Sequence, residues 1–175
     1  EWEPGYVTAF EVGIPESGDA VPDLIDEALW NVRWMLAMQD TDGGVYHKLT
    51  AKSFGDMKTM PHQYTKKRYM VGKNTSAALN FAATLAQASR VFAPFEKQYP
   101  GFSKRCLAKA KKAYTWAKKN PTVRFVQPEG FNTGIYEHEN YSFTDEFTWA
   151  ATELFITTLD KKFYDESGAP MHTAV

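Results

Sequence analysis

The chain has 175 residues, enough for one domain with its own hydrophobic core. Its 20 basic and 21 acidic residues leave a formal net charge of −1, which argues against a dominant nucleic-acid-binding surface. A single cysteine, Cys106, rules out an internal disulfide, and no apolar run approaches membrane-spanning length. We therefore expect neither nucleic acid nor a membrane among its partners, and we expect Cys106 to be a small core residue rather than a reactive thiol.

Hydrophobic periodicity predicts four long helices, called here helices A to D. They cover about residues 22–39, 75–92, 103–119 and 145–159. Pro22 suits the first helical position of helix A, where acidic residues meet the positive end of the helix dipole. Ser103 and Thr144 are the expected N-caps of helices C and D.

The four helices alternate in character. Helix B has no charged residue from Thr75 to Ser89, and helix D has only Glu153 after its first turn, so both are predicted to be buried. Helix C carries a basic face, which we interpret as a solvated outer surface, and helix A has a predicted polar stripe of Asp23, Asp26, Glu27, Asn31 and Arg33. Outer helices alternating with inner helices are the pattern expected of an α/α barrel.

The connections between the helices place a candidate binding surface. Residues 40–74 and 120–143 form two long connections, whereas the one between helices B and C is short. If consecutive helices are antiparallel, both long connections lie at the same end of the bundle, and long loops in a compact domain are usually functional. Within the first loop, the turn Asp42-Gly43-Gly44 precedes an alternating segment at 45–50, which predicts a short hairpin strand.

Five motifs resemble those of one known family. They are IPESG at residues 14–18, DLIDEA at 23–28, GGVYHK at 43–48, NTSA at 74–77 and DEFTWAA at 145–151. Together they resemble the glycoside hydrolase family 9 cellulases and endoglucanases. The resemblance implies an all-α fold that is part of an (α/α)6 barrel. It also implies that residues 1–175 are a single partial domain, the central portion of the family's catalytic domain.

Family 9 enzymes hydrolyse β-1,4-glucosidic bonds with inversion, using a base that activates water and a separate acid. The family's base lies in an Asp-Ala-Gly-Asp motif upstream of IPESG, and its acid is a glutamate beyond helix D. Neither matches a position in this chain, so no catalytic residue is assigned and the chain alone is expected to be inactive. The remainder of the catalytic domain and a β-glucan are the implied partners, and an extracellular or periplasmic location follows from the family alone.

Two alternatives stay open at this point. The chain could be a helical carbohydrate-binding or interaction module without chemistry. It could instead belong to another α/α-barrel enzyme that degrades polysaccharides, such as a polysaccharide lyase. The sequence flanking this segment would distinguish them, because only the hydrolase needs both family carboxylates.

The resemblance also implies site residues. Candidate sugar contacts are Tyr46, His47, Arg68 and Tyr136, because aromatic faces stack on pyranose rings while His and Arg bind hydroxyls. Asp145 and Glu146 match a carboxylate pair that holds Ca²⁺ in some family members, with backbone oxygens from the preceding Tyr141-Ser142. The alternative for this pair is plain capping of helix D without a metal.

Overall fold

The computed structural model describes residues 12–134 and 141–168, and the fold within them is mainly helical. Five α-helices are joined by a two-stranded sheet and two single 3₁₀ turns. The helices are α1 (Asp23–Ala37), α2 (Thr75–Phe92), α3 (Phe102–Lys119), α4 (Thr144–Thr158) and α5 (Lys161–Ser167). The strands are β1 (Tyr46–Thr50) and β2 (Tyr69–Lys73), and the 3₁₀ turns are Pro61–Gln63 and Ala93–Phe95.

The four predicted helices are confirmed, but their ends differ. Pro22 precedes α1 as its N-cap, in extended conformation, and α1 ends at Ala37. Helix α3 begins one residue early, after Gly101 at φ 73°, a left-handed conformation that favours glycine. Ser103 is therefore inside the helix, where its hydroxyl donates to the Ser89 carbonyl of α2 at 2.7 Å. Thr144 likewise lies inside α4, which begins after Phe143.

Helix α2 is the buried centre of the bundle, as the lack of charge from Thr75 to Ser89 predicts. Twelve of its 18 residues are buried, against six of 18 in α3. It packs most extensively against α3 and then α4. The contacting surfaces are rich in alanine, which allows two helix backbones to approach closely. The fully buried alanines are Ala78, Ala82, Ala83 and Ala86 of α2, Ala110, Ala113 and Ala117 of α3, and Ala150 and Ala151 of α4.

The predicted burial of helix D is wrong for this chain. Only four of the 15 residues in α4 are buried, against five of 15 in α1. Trp149 and Ile156 of α4 are 43% and 48% exposed, and Trp30 and Trp34 of α1 are 67% and 51% exposed. Large apolar side chains that are exposed together commonly mark a surface that contacts another part of the protein or a partner. Within the described residues, α4 packs mainly against α2 and α5, and this packing leaves Trp149 and Ile156 partly uncovered.

The predicted polar stripe of helix A is also partly wrong, because Asp23 and Asp26 are buried. Asp23 accepts hydrogen bonds from the Val12 amide at 2.6 Å and the Ser17 hydroxyl at 2.5 Å. The Ser17 hydrogen bond is the main reason that the pKa of Asp23 is lowered. Asp26 accepts a hydrogen bond from the hydroxyl of Tyr99, which lies in the connection between α2 and α3. Both carboxylates therefore fasten the start of α1 to neighbouring segments.

Two elements were not predicted from the sequence. Strand β2 pairs antiparallel with β1, with Tyr46 opposite Lys73 and Thr50 opposite Tyr69. Helix α5 is capped by Asp160, which accepts from the Lys162 amide at 3.1 Å, and it buries Phe163 against Tyr114 of α3. Within the described residues, no helix is long and apolar enough to cross a membrane.

The turn before β1 is held against α3. Lys73 of β2 bridges Asp40 and Asp42, with its ammonium nitrogen 2.9 Å and 2.8 Å from the two carboxylates. The Trp116 indole of α3 donates to Asp42 at 3.1 Å. Gly43 has φ 103°, and a Cβ added there would lie 2.9 Å from the carbonyl oxygen of Lys112 in α3. The turn therefore needs glycine for its conformation and for its close approach to the helix.

We predict that Gly43→Ala lowers the stability of the full-length protein more than Gly130→Ala does. Both glycines have positive φ, but a Cβ at Gly130 would meet no atom within 4 Å. Gly130→Ala should cost about 1–2 kcal/mol of left-handed strain. Gly43→Ala adds a clash with α3 backbone and should cost roughly 2–4 kcal/mol. Urea or thermal unfolding measures both, and equal losses would show that the turn does not depend on this approach.

Candidate functional site

The two long loops meet at one end of the bundle, as antiparallel helix order predicts. Asn132 donates its amide to the Lys52 carbonyl at 2.6 Å, and Ser53 and Asn132 form a parallel bridge. Thr50 and Thr133 share a hydroxyl hydrogen bond of 3.0 Å. These contacts join β1 and the segment after it to the connection between α3 and α4. We call this joined surface the loop face.

Thr75, the first residue of α2, anchors the second loop to the buried helix. Its amide donates to the Val123 carbonyl at 2.8 Å, and the Val123 amide donates back to the Thr75 hydroxyl at 2.9 Å. The same hydroxyl donates to the Asn120 carbonyl at 2.5 Å. Thr75 is fully buried, so the loop face is built directly on the end of the most buried helix.

His47 lies on β1 at the junction of the two loops. Its imidazole stacks on the ring of Phe125, with ring centroids 4.0 Å apart and planes 15° apart. The neighbouring Lys48 donates its ammonium group to the carbonyls of Thr133 at 3.1 Å and Gly134 at 2.7 Å. Burial lowers the pKa of Lys48. His47 and Lys48 therefore contact the second loop in different ways, one by ring stacking and one by hydrogen bonds.

Tyr46 has a structural contact as well as a candidate role at the site. Its hydroxyl donates to Asp40 at 3.1 Å, and this hydrogen bond raises the pKa of Tyr46. Asp40 is held mainly by Lys73, whose hydrogen bond lowers the pKa of Asp40 to about 2. Tyr46 is half-buried and packs on the hydrophobic core. Its hydroxyl is therefore committed within the protein, whereas sugar stacking by its ring stays a prediction.

A cleft of about 260 Å³ lies beside β1, between α1 and α2. Tyr46 and His47 line it together with the half-exposed Trp34 and with Ser76 and Asn80 of α2. The other lining residues are apolar, so the cleft is a mainly apolar and aromatic surface with a few hydroxyl, amide and imidazole groups, as is usual for a small-molecule site. Trp34 and Asn80 were not identified from the sequence as candidates, because both belong to helical patterns without a distinguishing motif.

The remaining predicted sugar contacts have different outcomes. Arg68 is exposed and immediately precedes β2, whereas Lys73 is the last residue of that strand. Arg68 is not among the residues that line the cleft. Tyr136 lies outside the described residues, and its predicted position on the same side as Tyr46 stays a prediction. The structure therefore brings Tyr46 and His47 together in one cleft, next to a Phe125 that sequence reasoning missed.

Asp145 and Glu146 form a pair of adjacent carboxyls in the first turn of α4. Asp145 is exposed, and its hydrogen bond with Glu146 lowers the pKa of Asp145. Glu146 is buried, and this burial, followed by the hydrogen bond with Asp145, raises the pKa of Glu146. The Tyr141 hydroxyl donates to Oε1 of Glu146. Within the described residues, the buried Oε2 of Glu146 has no hydrogen-bond partner.

This pair fits part of a calcium site. Two carboxylates lie at one helix start, and one buried oxygen among them is unsatisfied. The backbone contribution expected from Tyr141 is partly occupied, because its carbonyl accepts from Arg124 at 2.7 Å. No group of three or more His, Cys, Asp or Glu side chains is arranged to hold a metal in residues 12–134 and 141–168. Further ligands would have to come from other parts of the protein.

Cys106 is not a candidate nucleophile. Cys106 is fully buried in α3, as predicted, and burial raises the pKa of its thiol to about 11. The thiolate needed for nucleophilic attack is therefore scarce at neutral pH.

Comparison with known proteins decides the family. The model of glycosyl hydrolase family 9 matches residues 7–173. The chain belongs to glycosyl hydrolase family 9. It is 46% identical over 169 residues to a xyloglucan-specific endo-beta-1,4-glucanase, BoGH9A, of Bacteroides ovatus, a match that covers 92% of this chain and 28% of that protein. It is 35% identical over 152 residues to endoglucanase D of Acetivibrio thermocellus, covering 86% of this chain and 23% of the relative.

The fold agrees with that assignment. The solved structure of Bacteroides ovatus GH9 superposes with a TM-score of 0.86 at 43% identity, over 98% of this chain and 33% of that structure. The helices of this family 9 chain therefore form part of an (α/α)6 barrel, with the small sheet as an addition at the loop face. The chain spans about a quarter of the length of the curated relatives that it matches.

We predict that Glu146→Gln changes how stability depends on pH. The folded-state pKa of Glu146 is raised, so folding favours its protonated form. Its contribution to stability is greatest below the unfolded-state pKa and is lost as pH rises through the folded pKa. Without divalent cations, the full-length Glu146→Gln variant should lack this loss and gain stability relative to the native protein as pH approaches neutrality. Parallel melting-temperature profiles from pH 4 to pH 8 would contradict the prediction.

Proposed function

We propose that the full-length protein is a β-1,4-glucan hydrolase that acts with inversion. The observation that carries the proposal is the family 9 match over residues 7–173, which includes both loops of the loop face. The alternatives of a non-catalytic module or a different barrel enzyme are not favoured, because both curated relatives named above are glucanases. An inverting glucanase needs two carboxyls separated widely enough to admit a water molecule.

In this proposal the chain supplies substrate-binding surface rather than the catalytic acid and base. The sequence has no Asp-Ala-Gly-Asp motif, so the base is provided by another part of the protein. Tyr46 and Trp34 would offer ring faces to the glucan, and His47 and Asn80 would bind its hydroxyls, because these four side chains line one cleft. Binding energy from such contacts orients the bond to be cleaved.

We propose a β-1,4-linked glucose backbone as the recognised substrate. The relative of 46% identity is named as specific for xyloglucan, a branched glucan, whereas the relative of 35% identity is named an endoglucanase. The cleft of about 260 Å³ beside β1 is the proposed position of one sugar ring of the substrate. Comparison of kcat/KM on xyloglucan and on unbranched soluble glucan distinguishes a branched from a plain substrate.

The remainder of the catalytic domain is the proposed partner of the exposed apolar faces. Trp30 on α1 and Trp149 and Ile156 on α4 are surfaces that neighbouring barrel helices would bury. We also propose an extracellular or periplasmic location, because a polymeric glucan is encountered outside the cytoplasm.

Calcium at the start of α4 remains part of the proposal. Asp145 and Glu146 would hold the ion, and its charge would offset the mutual repulsion of the two carboxylates and the cost of burying Glu146. The proposed role is structural, because an ion at the first turn of α4 would fix the point where the second loop joins the helix.

We predict that the 175-residue chain alone releases no reducing sugar from carboxymethylcellulose, whereas the full-length protein does. The reason is that the chain lacks both family carboxylates. Circular dichroism of the isolated chain should accompany the assay, to separate lack of catalytic groups from lack of structure. Turnover that survives repurification, and that is lost on changing an acidic residue within this chain, would show the assignment to be wrong.

We predict that calcium raises the melting temperature of the full-length protein and that Asp145→Asn removes this effect. A ligand that binds only the folded state stabilises it by about 2.7 kcal/mol at a concentration of 100 times its Kd. Asp56→Asn is the matched control, because Asp56 is an exposed carboxylate in the first long loop. An equal calcium-induced shift in Asp145→Asn and in the control would exclude this site.

A further inference from the structure

His47 has a glycine directly opposite it in the sheet. The register pairs Tyr46 with Lys73 and Lys48 with Val71, so His47 faces Gly72 across the two strands. Phe125, from the connection between α3 and α4, covers this pair. Its ring stacks on the imidazole at 4.0 Å, and it also packs on the backbone of Gly72.

Gly72 makes room for the Phe125 ring. A Cβ at position 72 would lie 3.2 Å from Cδ2 and 3.3 Å from Cε2 of Phe125. The φ of Gly72 is +43°, which most side-chain-bearing residues adopt only at a cost. Any side chain here would therefore press on the ring that stacks with His47. Glycine inside a strand is typical of such a close approach.

Phe125 is buried by residues of the loop face and not by the main hydrophobic core. Only 5% of the residue is exposed, yet among the described residues it lies outside the main hydrophobic cluster of the helices. Its neighbours include His47, Gly72 and the ammonium group of Lys48, which lies 5.0 Å from the ring centroid. The ring therefore supports the loop face rather than the helical core.

A flat, buried neighbour restricts the plane of a partly exposed imidazole. His47 lines the cleft beside Tyr46 and is half-buried, so the orientation of its ring depends on the groups packed against it. Stacked aromatic pairs are stabilised beyond the area that they bury. A fixed ring plane also fixes the directions of the two ring nitrogens, which are its hydrogen-bonding atoms.

We propose that Phe125, seated on Gly72, is a positioning residue for His47, and that it holds the imidazole plane so that a ring nitrogen meets a glucan hydroxyl in the cleft. The proposal rests on the proposed function for its ligand. Phe125 itself contacts no sugar in this arrangement. It acts through His47, and this indirect action is what the experiments measure.

The first experiment compares Phe125→Leu with Phe163→Leu in the full-length protein. Both remove a buried aromatic ring, but Phe163 lies on α5 and makes its edge contact with Tyr114. Phe125→Leu should raise KM for the preferred soluble glucan roughly three- to tenfold, the range expected for a lost aromatic pair, with kcat within about twofold. Phe163→Leu should lower the melting temperature without changing KM. An equal rise in KM in both variants would overturn the proposal.

The second experiment tests whether Phe125 acts through His47. Phe125→Leu should have no further effect on KM when His47 is already alanine, because the group to be positioned is gone. Phe125→Tyr, which keeps the flat ring, should retain the native KM within about twofold. If Phe125→Leu raised KM by the same factor with and without His47, the two residues would act independently and the proposal would be wrong.

The third experiment reads the stacking without activity. The sample is the full-length protein with ¹³C-labelled histidine, and the His47 ring protons are assigned by their loss in His47→Ala. Their NMR signals should lie upfield of those of an unstacked histidine, because the Phe125 ring lies over them. Phe125→Leu should abolish that displacement, and an unchanged His47 signal would overturn the positioning role. If the native protein hydrolysed no β-glucan, the proposed function would fail, while this spectrum would still decide whether Phe125 orients His47.

Discussion

Close packing of alanine-rich surfaces around α2 is the constraint on which the rest of the structure depends. Ala78, Ala82 and Ala86 have no exposed surface, and the facing helices α3 and α4 contribute alanines that are equally buried. Larger residues at these positions would separate the helix axes, since protein interiors tolerate little extra volume. The lack of charge from Thr75 to Ser89 has the same origin, because a buried charge without a partner is costly. Arg90, in the last turn of α2, is paired with Glu153 of α4 at 2.6 Å.

The loop face depends on this packing through the first residue of α2. Thr75 is buried with the helix, and both its amide and its hydroxyl bind the segment that follows α3. These hydrogen bonds fix Val123 against the helical core, and Phe125 lies only two residues further along the chain. His47 is fixed relative to the same core because it lies on β1, which follows the turn that is held against α3. Two loops distant in sequence therefore meet with a defined ring-to-ring geometry.

The negative charges of the carboxylates are stabilised by different groups in this chain. Asp40 and Asp42 share the ammonium group of Lys73, and Asp23 is held by hydroxyl and amide donors. Glu146 differs from these three, since burial raises its pKa and one of its oxygens is unsatisfied within the described residues. One buried oxygen of Asp26 is also unsatisfied in this part of the chain. The raised pKa favours a proton on Glu146 when no cation is bound, and the unsatisfied oxygen is the atom that a further ligand would meet.

The sequence determined the four longer helices and the turn before β1 through local pattern, and the shared end of the two loops through the order of the helices along the chain. Helix α5 was not predicted from such patterns. The GGVYHK motif was sufficient to name Tyr46 and His47 as candidates, and their contact with sugar stays a prediction. Tertiary structure alone decided that Asp23 and Asp26 are buried, that β2 pairs with β1, and that α4 keeps an exposed face. Phe125 could not have been found from its own surroundings, since its partners lie 53 and 78 residues earlier in the chain. Such contacts arise only when distant segments are brought together, and no local periodicity encodes them.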